Sequence, residues 1–181
     1  HVPDCPPAAG PPWMRRWGVT DNDLAWFQKN KTHYDMVGVN FYPWSWGEHF
    51  LRSAGTIGAT IPEADGMTLA HILREAWQRH QLPIMITETS ALLDADGRSR
   101  WLEETVNAVA TVRAEGLPVV GYTWFPMMTM FDWLYRRGDK PLADYAIHLG
   151  LYDSHFDTAG NFIRHHTPLV DQYARLAQTV P

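Results

Sequence analysis

The stretch "LPIMITETS", residues 82–90, sets four hydrophobic residues and a proline ahead of Thr87, Glu88, Thr89 and Ser90. A short run that is apolar along its whole length, bounded by a proline and by polar residues, predicts a strand covered on both faces. Such strands belong to parallel sheets, and parallel α/β folds bind ligands beyond the carboxyl ends of their strands. Glu88 therefore stands where a functional carboxylate is expected.

Two other stretches share this character. "YDMVGVNFY", 34–42, has Met36, Val37 and Val39 as its apolar run, and "LPVVGYTW", 117–124, is a third buried strand. Helices alternate with them. "TDNDLAWFQKN" has Thr20 as an N-cap and acidic residues in its first turn. "TLAHILREAWQRH" begins at Thr68 as its cap and places Leu69, Ile72, Leu73, Ala76 and Trp77 on one stripe. Residues 99–115 bring Leu102, Val106 and Val109 to one face, and Gly116 stops the helix. Thr167 and Pro168 open a last helix with Leu169, Val170, Tyr173 and Leu176 inward. Residues 43–66, 91–100 and 125–144 read as loops, and "HLGLYDSHFD" as a short strand or hairpin. The alternation predicts an α/β fold. Residues 1–19 read as a Pro-rich N-terminal loop, and 20–181 as the folded domain.

Bulk properties narrow the function. The chain has 181 residues and a net charge of −5, with both signs mixed along it. There is no basic stripe for nucleic acid and no apolar stretch long enough to cross a bilayer. The compartment is open, with a soluble, cytoplasmic protein slightly favoured, and one cysteine, Cys5, rules out an internal disulfide framework without fixing the compartment. Nine Trp, seven Tyr and seven Phe fit a site that stacks sugar rings, or equally a Trp-rich core. Nine histidines raise a metal site, but no pair has the helical His-x-x-x-His spacing, so neither metal nor cofactor is expected.

The strand ends offer one coherent chemistry. The first ends in Asn40-Phe41-Tyr42 with Trp44 and Trp46 just after; the second ends at Glu88; the third ends in Tyr122-Thr123-Trp124, and its loop carries Asp132 and Trp133. A carboxylate attacks an anomeric carbon, a phenol orients the carboxylate, and an amide bonds the sugar 2-hydroxyl as the ring becomes oxocarbenium-like. Indoles stack on sugar C–H faces. Taken singly, each residue also has an ordinary reading as turn former, surface ion pair or core.

The ordered series "DMVGVNFY", "LPIMITETS", "GLPVVGYTWFPMMTMFDW" and "HLGLYDSHFDT" resembles the last strands of family 1 glycoside hydrolases, the β-glucosidase-like TIM barrels. There the sixth strand ends in Asn-x-Tyr and the seventh in Ile-Thr-Glu-Asn-Gly. The eighth reads Gly-Tyr-x-x-Trp, with a following loop that ends in Phe-Glu-Trp. The resemblance spans residues 34 to about 176 and implies a partial (β/α)₈ barrel corresponding to the sixth to eighth βα units. It implies Glu88 as nucleophile, Tyr42 as its hydrogen-bonding partner and Asn40 as the strand's asparagine. It further implies Trp124 as the platform under the sugar and Asp132 with Trp133 as the pair that binds sugar hydroxyls; Trp44, just after the first strand's end, is a further candidate substrate contact. The chain departs from the pattern in having Thr-Ser after Glu88, a loop one residue longer after the eighth strand, and Asp132 in place of Glu.

A retaining glycosidase needs two carboxyl groups about 5–5.5 Å apart. In the resembled family the second is the Glu of an Asn-Glu-Pro, which this sequence lacks. Glu75, Glu103, Glu104 and Glu115 fall on helices; Glu48 and Glu63 fall in the long loop after the first strand. A full barrel takes about 250 residues. The expectation is the C-terminal part of a retaining β-glycosidase, acting on a carbohydrate, with its acid/base on the missing N-terminal part of the barrel or on another chain. The alternatives are a carbohydrate-binding module without catalysis and a degenerate glycosidase-like protein.

Overall fold

The computed structural model describes residues 12–45, 49–53, 56–60 and 63–179. The chain divides at Tyr34/Asp35 into two units. The first holds helices α1 (Pro12–Arg16) and α2 (Asp21–Lys29). Helix α1 lies inside the segment expected to be loop, because proline at a first helical position loses no bond and brings its φ already set. Thr20 caps α2 in a reciprocal box: its hydroxyl accepts from the Asp23 N–H, and the Asp23 carboxylate accepts from the Thr20 N–H at 2.8 Å.

In the second unit, three strands form one parallel sheet: β1 (Val37–Asn40), then, after the hairpin β2 (His49–Ser53) and β3 (Thr56–Thr60) and helix α3 (Gly66–His80), β4 (Ile84–Thr89), and after helix α4 (Ala95–Ala114), β5 (Val119–Trp124). The spatial order is β1-β4-β5, with β4 central. All three stretches singled out from the sequence are strands, each trimmed at its start. The helices cover one face. Leu69 and Leu73 of α3, Leu102, Val109 and Val112 of α4, and Ile84, Ile86 and Val119 of the sheet form the buried core. Thr87 beside Gly38 and Met85 beside Gly121 fill the opposite face. Among the described residues β1 and β5 each pair on one edge only. Along β5, a groove of about 1070 Å³ runs between α4 and the last helix, lined by Val109, Leu117, Val120 and Tyr122; Val120 is 61% exposed.

Other boundaries also differ from the sequence reading, and residues 125–144, expected as loop, contain a short strand and a 3₁₀ turn. Residues 43–66 are not one loop, since β2 and β3 pair through five registered positions. Helix α3 is capped by Asp65, not Thr68; the Asp65 carboxylate accepts from both the Thr68 N–H and its hydroxyl. Helix α4 starts at Ala95, inside the expected loop 91–100, with Asp94 as cap accepting from the Gly97 N–H at 2.7 Å. Its end matches expectation: Gly116 has φ +92°, and the Leu117 N–H closes onto the Val112 carbonyl at 3.1 Å.

After β5 come β6 (Met130–Phe131), two 3₁₀ turns (Trp133–Arg136 and Leu142–Tyr145) and β7 (Ala146–Ile147), which pairs with β6. The hairpin foreseen in "HLGLYDSHFD" is β8 (Tyr152–Phe156) with β9 (Phe162–His166). Helix α5 (Pro168–Thr179) closes the unit, with Leu169 fully buried. The approach to β8 is tight. A Cβ on Gly150 would lie 2.6 Å from the Met128 carbonyl carbon and 2.9 Å from the Met127 oxygen, both backbone atoms. Gly150→Ala is therefore expected to destabilise by about 1–3 kcal/mol, read as a lower urea midpoint with an unchanged slope. Among the described residues no helix is long and apolar enough to cross a membrane.

Candidate active site at the carboxyl ends of the strands

Regular alternation along β4 would put residue 88 on the same side as Ile84 and Ile86, which are both fully buried under the helices. The pairing instead slips on both sides of it: between Val39 and Asn40 towards β1, and between Ile86 and Thr89 towards β5. Thr89 takes the buried phase, and Glu88 is turned out of the core, half-buried at the sheet's end. A bulge of this kind re-aims a side chain at a strand terminus. Without it, the carboxylate would face the helix layer, where an unpaired charge is costly.

The phenol of Tyr42 donates to Glu88 Oε2 at 2.7 Å. Tyr42 is held by a turn in which its own N–H donates to Ser45 Oγ at 2.8 Å, and the Ser45 N–H returns to the Tyr42 carbonyl at 2.9 Å. Trp44 stacks on the Tyr42 ring, with centroids 4.9 Å apart and planes 9° from parallel, and remains 42% exposed. Asn40 pairs with Glu88 in register, and its Oδ1 accepts from the Thr87 hydroxyl at 2.6 Å.

Sequence reasoning did not single out the support beneath this pair. Phe41 donates its N–H to the Glu88 carbonyl at 2.9 Å and stacks on Trp101 of α4, with centroids at 5.7 Å. The Trp101 indole N–H donates to Thr89 Oγ1 at 3.0 Å. One buried indole thus braces the ends of β1 and β4 together. The signal was present in the alternation of Phe41 with Tyr42, which puts one ring inward when the other faces the mouth.

The remaining candidates are spread. Trp124 pairs with Thr89 but lies in the core, 5% exposed, its indole N–H donating to the Leu149 carbonyl at 2.9 Å. Asp132 caps the first 3₁₀ turn, accepting from the Leu134 N–H at 2.8 Å. Trp133, 66% exposed, carries the Arg136 guanidinium over its ring at 4.6 Å. Glu63 lines a cleft of about 610 Å³ with Trp44, Leu92, Arg100 and Trp101. Trp46 and Glu48 lie outside the described residues. Among the described residues no group of three or more His, Cys, Asp or Glu is placed to hold a metal ion.

Burial, then the hydrogen bond to Glu88 and its negative charge, push the Tyr42 phenol well above the ordinary range; burial does the same at Tyr122. Both phenols keep their protons in the folded state at a pH where an unfolded tyrosine, near pH 10, has begun to lose its own. Their contribution to stability is therefore constant below about pH 10 and falls as pH rises above it. Urea midpoints measured across this range are expected to drop on the alkaline side, and to drop less in Tyr42→Phe and Tyr122→Phe.

No family model and no curated protein sequence matches this chain. Solved structures do. The GH1 β-glucosidase of Exiguobacterium antarcticum B7 superposes with a TM-score of 0.61 at 22% identity, over 89% of this chain and 37% of that one. The family 1 β-glucosidase of Thermotoga maritima gives 0.68 at 15% identity, over 94% and 41%. The β-glycosidase of Thermosphaera aggregans gives 0.59 at 18%, over 80% and 32%. The chain spans about two-fifths or less of the length of these structures. This likeness establishes the fold: the chain is an α/β partial TIM barrel.

Proposed function

We propose that this chain is the C-terminal part of a retaining β-glycosidase of the family 1 type, with Glu88 as nucleophile. The observation that carries the reading is the 2.7 Å bond from Tyr42 to Glu88 Oε2. It leaves Oε1 as the oxygen for attack and fixes the plane of the carboxylate, the arrangement a nucleophile needs before a sugar arrives. Tyr42 is the catalytic partner. Asn40 meets the sugar 2-hydroxyl, Trp124 backs the floor near the cleaved bond from its buried position, and Asp132, Trp133 and Trp44 contact the rest of the carbohydrate. The acid/base carboxylate comes from polypeptide outside the described residues, either the N-terminal part of the barrel or another chain. Its loss costs about 10²–10⁴-fold in rate.

The test is incubation with 2-deoxy-2-fluoro glycosides bearing a dinitrophenyl leaving group, which departs without protonation, followed by intact mass measurement. A gain of one fluorosugar, mapped to the peptide containing Glu88, supports the reading. An adduct on another residue, or none even when the remainder of the barrel is supplied, overturns it.

A second reading is carbohydrate binding without chemistry. Its support is the pair of well-exposed indoles, Trp44 and Trp133, on loops at the strand ends. It is distinguished by reversible sugar binding with no adduct at any time.

A further inference from the structure

The side chain of Arg98, in the first turn of α4, is only 1% exposed, yet its interactions do not optimise stability. Its two terminal nitrogens donate to the His148 carbonyl at 2.6 Å and to Asp153 Oδ2 at 2.8 Å. Its Nε and the other Asp153 oxygen are buried without a hydrogen-bond partner. Asp153 keeps 30% of its side chain exposed, and its Oδ1 lies 3.7 Å from His148 Nδ1. The desolvation cost therefore falls on the buried guanidinium, whose Nε stays unmatched; a well-packed apolar residue would not incur it. The geometry points to a different use.

His148 and Thr129 stand at the two feet of the β6–β7 hairpin, each one residue outside the paired positions Met130–Ile147. They bond to each other, Thr129 Oγ1 to His148 Nδ1 at 2.9 Å, and the same hydroxyl accepts the Ser154 N–H at 2.8 Å. Arg98 grips one foot through the His148 carbonyl and the neighbouring strand through Asp153. Above the feet, the Asp132 N–H donates to the Tyr145 carbonyl at 2.7 Å, and Asp132 and Trp133 follow directly. The helix that follows the Glu88 strand thus holds the base of the hairpin that carries the proposed sugar-hydroxyl pair.

We propose that Arg98 is a positioning residue that sets where Asp132 and Trp133 stand relative to Glu88. The proposal rests on the sugar-binding reading of those two residues. A guanidinium fork bonds two acceptors in one plane, whereas an ammonium group offers no such fork. Arg98→Lys keeps the charge and frees the hairpin.

The experiment is the fluoroglycoside trapping reaction on the full chain, followed over sugar concentration. Arg98→Lys is expected to raise the half-saturating concentration between about ten- and a hundredfold while leaving the limiting trapping rate within about twofold, since a displaced contact residue weakens binding without touching the nucleophile. Asp132→Asn gives the same signature, and the double variant adds little to either single one. Hydrogen exchange at Met130, Phe131, Ala146 and Ile147 accelerates in Arg98→Lys, while α3 is unchanged. If Arg98→Lys fails to fold, Thr129→Val removes the bond between the feet and is read in the same way. An unchanged half-saturation in a folded variant, or exchange that accelerates evenly over the whole unit, overturns the proposal. If no sugar labels the parent chain even when the remainder of the barrel is supplied, the glycosidase reading fails, and the exchange pattern alone decides whether Arg98 holds the hairpin.

Discussion

Glu88→Gln is expected to abolish covalent trapping by any fluoroglycoside and to lower turnover by about 10⁴-fold or more, the scale of losing a nucleophile. The substitution is nearly isosteric. The glutamine carbonyl still accepts the Tyr42 phenol, which donates at 2.7 Å in the parent chain, so the turn at Tyr42–Ser45 and the Trp44 stack have no reason to move. What disappears is the negative charge, and with it the nucleophilicity that the proposed attack requires. Stability should change by less than about 1 kcal/mol, because one charge-assisted bond becomes a neutral one. The two properties therefore separate: activity is lost in a protein that melts where the parent does. Reversible sugar binding measured by calorimetry should persist in the variant. Undiminished hydrolysis in Glu88→Gln removes Glu88 from the chemistry.

Trp101→Ala carries the largest expected cost in stability, about 3–5 kcal/mol, typical of deleting a buried Trp side chain. Two contacts go at once and a void is left. The ring no longer stacks on Phe41, the Thr89 hydroxyl loses the indole N–H at 3.0 Å, and a cavity opens at the top of α4. Thr89 is fully buried, so its hydroxyl has no water to replace the partner. Trp101→Phe keeps most of the packing and loses only the bond, for about 1–2 kcal/mol. Urea unfolding followed by far-ultraviolet dichroism measures both. The effect should also reach the site, because Phe41 and Thr89 flank Tyr42 and Glu88 in sequence. In Trp101→Phe, if the brace matters, trapping at Glu88 slows in molecules that are still folded. Equal trapping rates in Trp101→Phe and parent make Trp101 a core residue only.

The strand ends could be read in the sequence because a parallel sheet covered by helices demands short apolar runs, and those runs announce themselves. Glu88 and Tyr42 follow from where the runs stop. The bulge that turns Glu88 outward was not readable, since Thr-Glu-Thr has no glycine or proline to mark a slip in pairing. The start of α4 was hidden for a related reason. Asp94, Gly97 and Ser99 are residues that favour turns, yet Gly97 is helical, its N–H held by the Asp94 cap, and it is glycine because a Cβ there would lie 2.7 Å from the Leu93 side chain. Arg98 followed from nothing local: an arginine next to a glycine reads as solvated surface, and only the return of residues 148–153 against α4 buries it. Nor does a sequence say which of its indoles face outward. Trp124 spends its N–H on a backbone carbonyl in the core, whereas Trp133, at the same kind of strand-end position, stands in solvent.

The outer edge of β5 has one more implication, in terms of the pressures that shape a surface. Strands that meet water along an edge ordinarily carry a lysine, a proline or an inward charge, which keeps neighbouring molecules from adding to the sheet. Val119–Trp124 reads Val-Val-Gly-Tyr-Thr-Trp and has none of these. Nor does Val37–Asn40, at the other side, which reads Val-Gly-Val-Asn. Both are written in the vocabulary of interior strands. Edges written this way suit pairing with further polypeptide better than contact with water. The same two strands that end at Asn40 and Trp124 thus also set how readily this chain associates with others, because nothing in their sequence guards their outer edges.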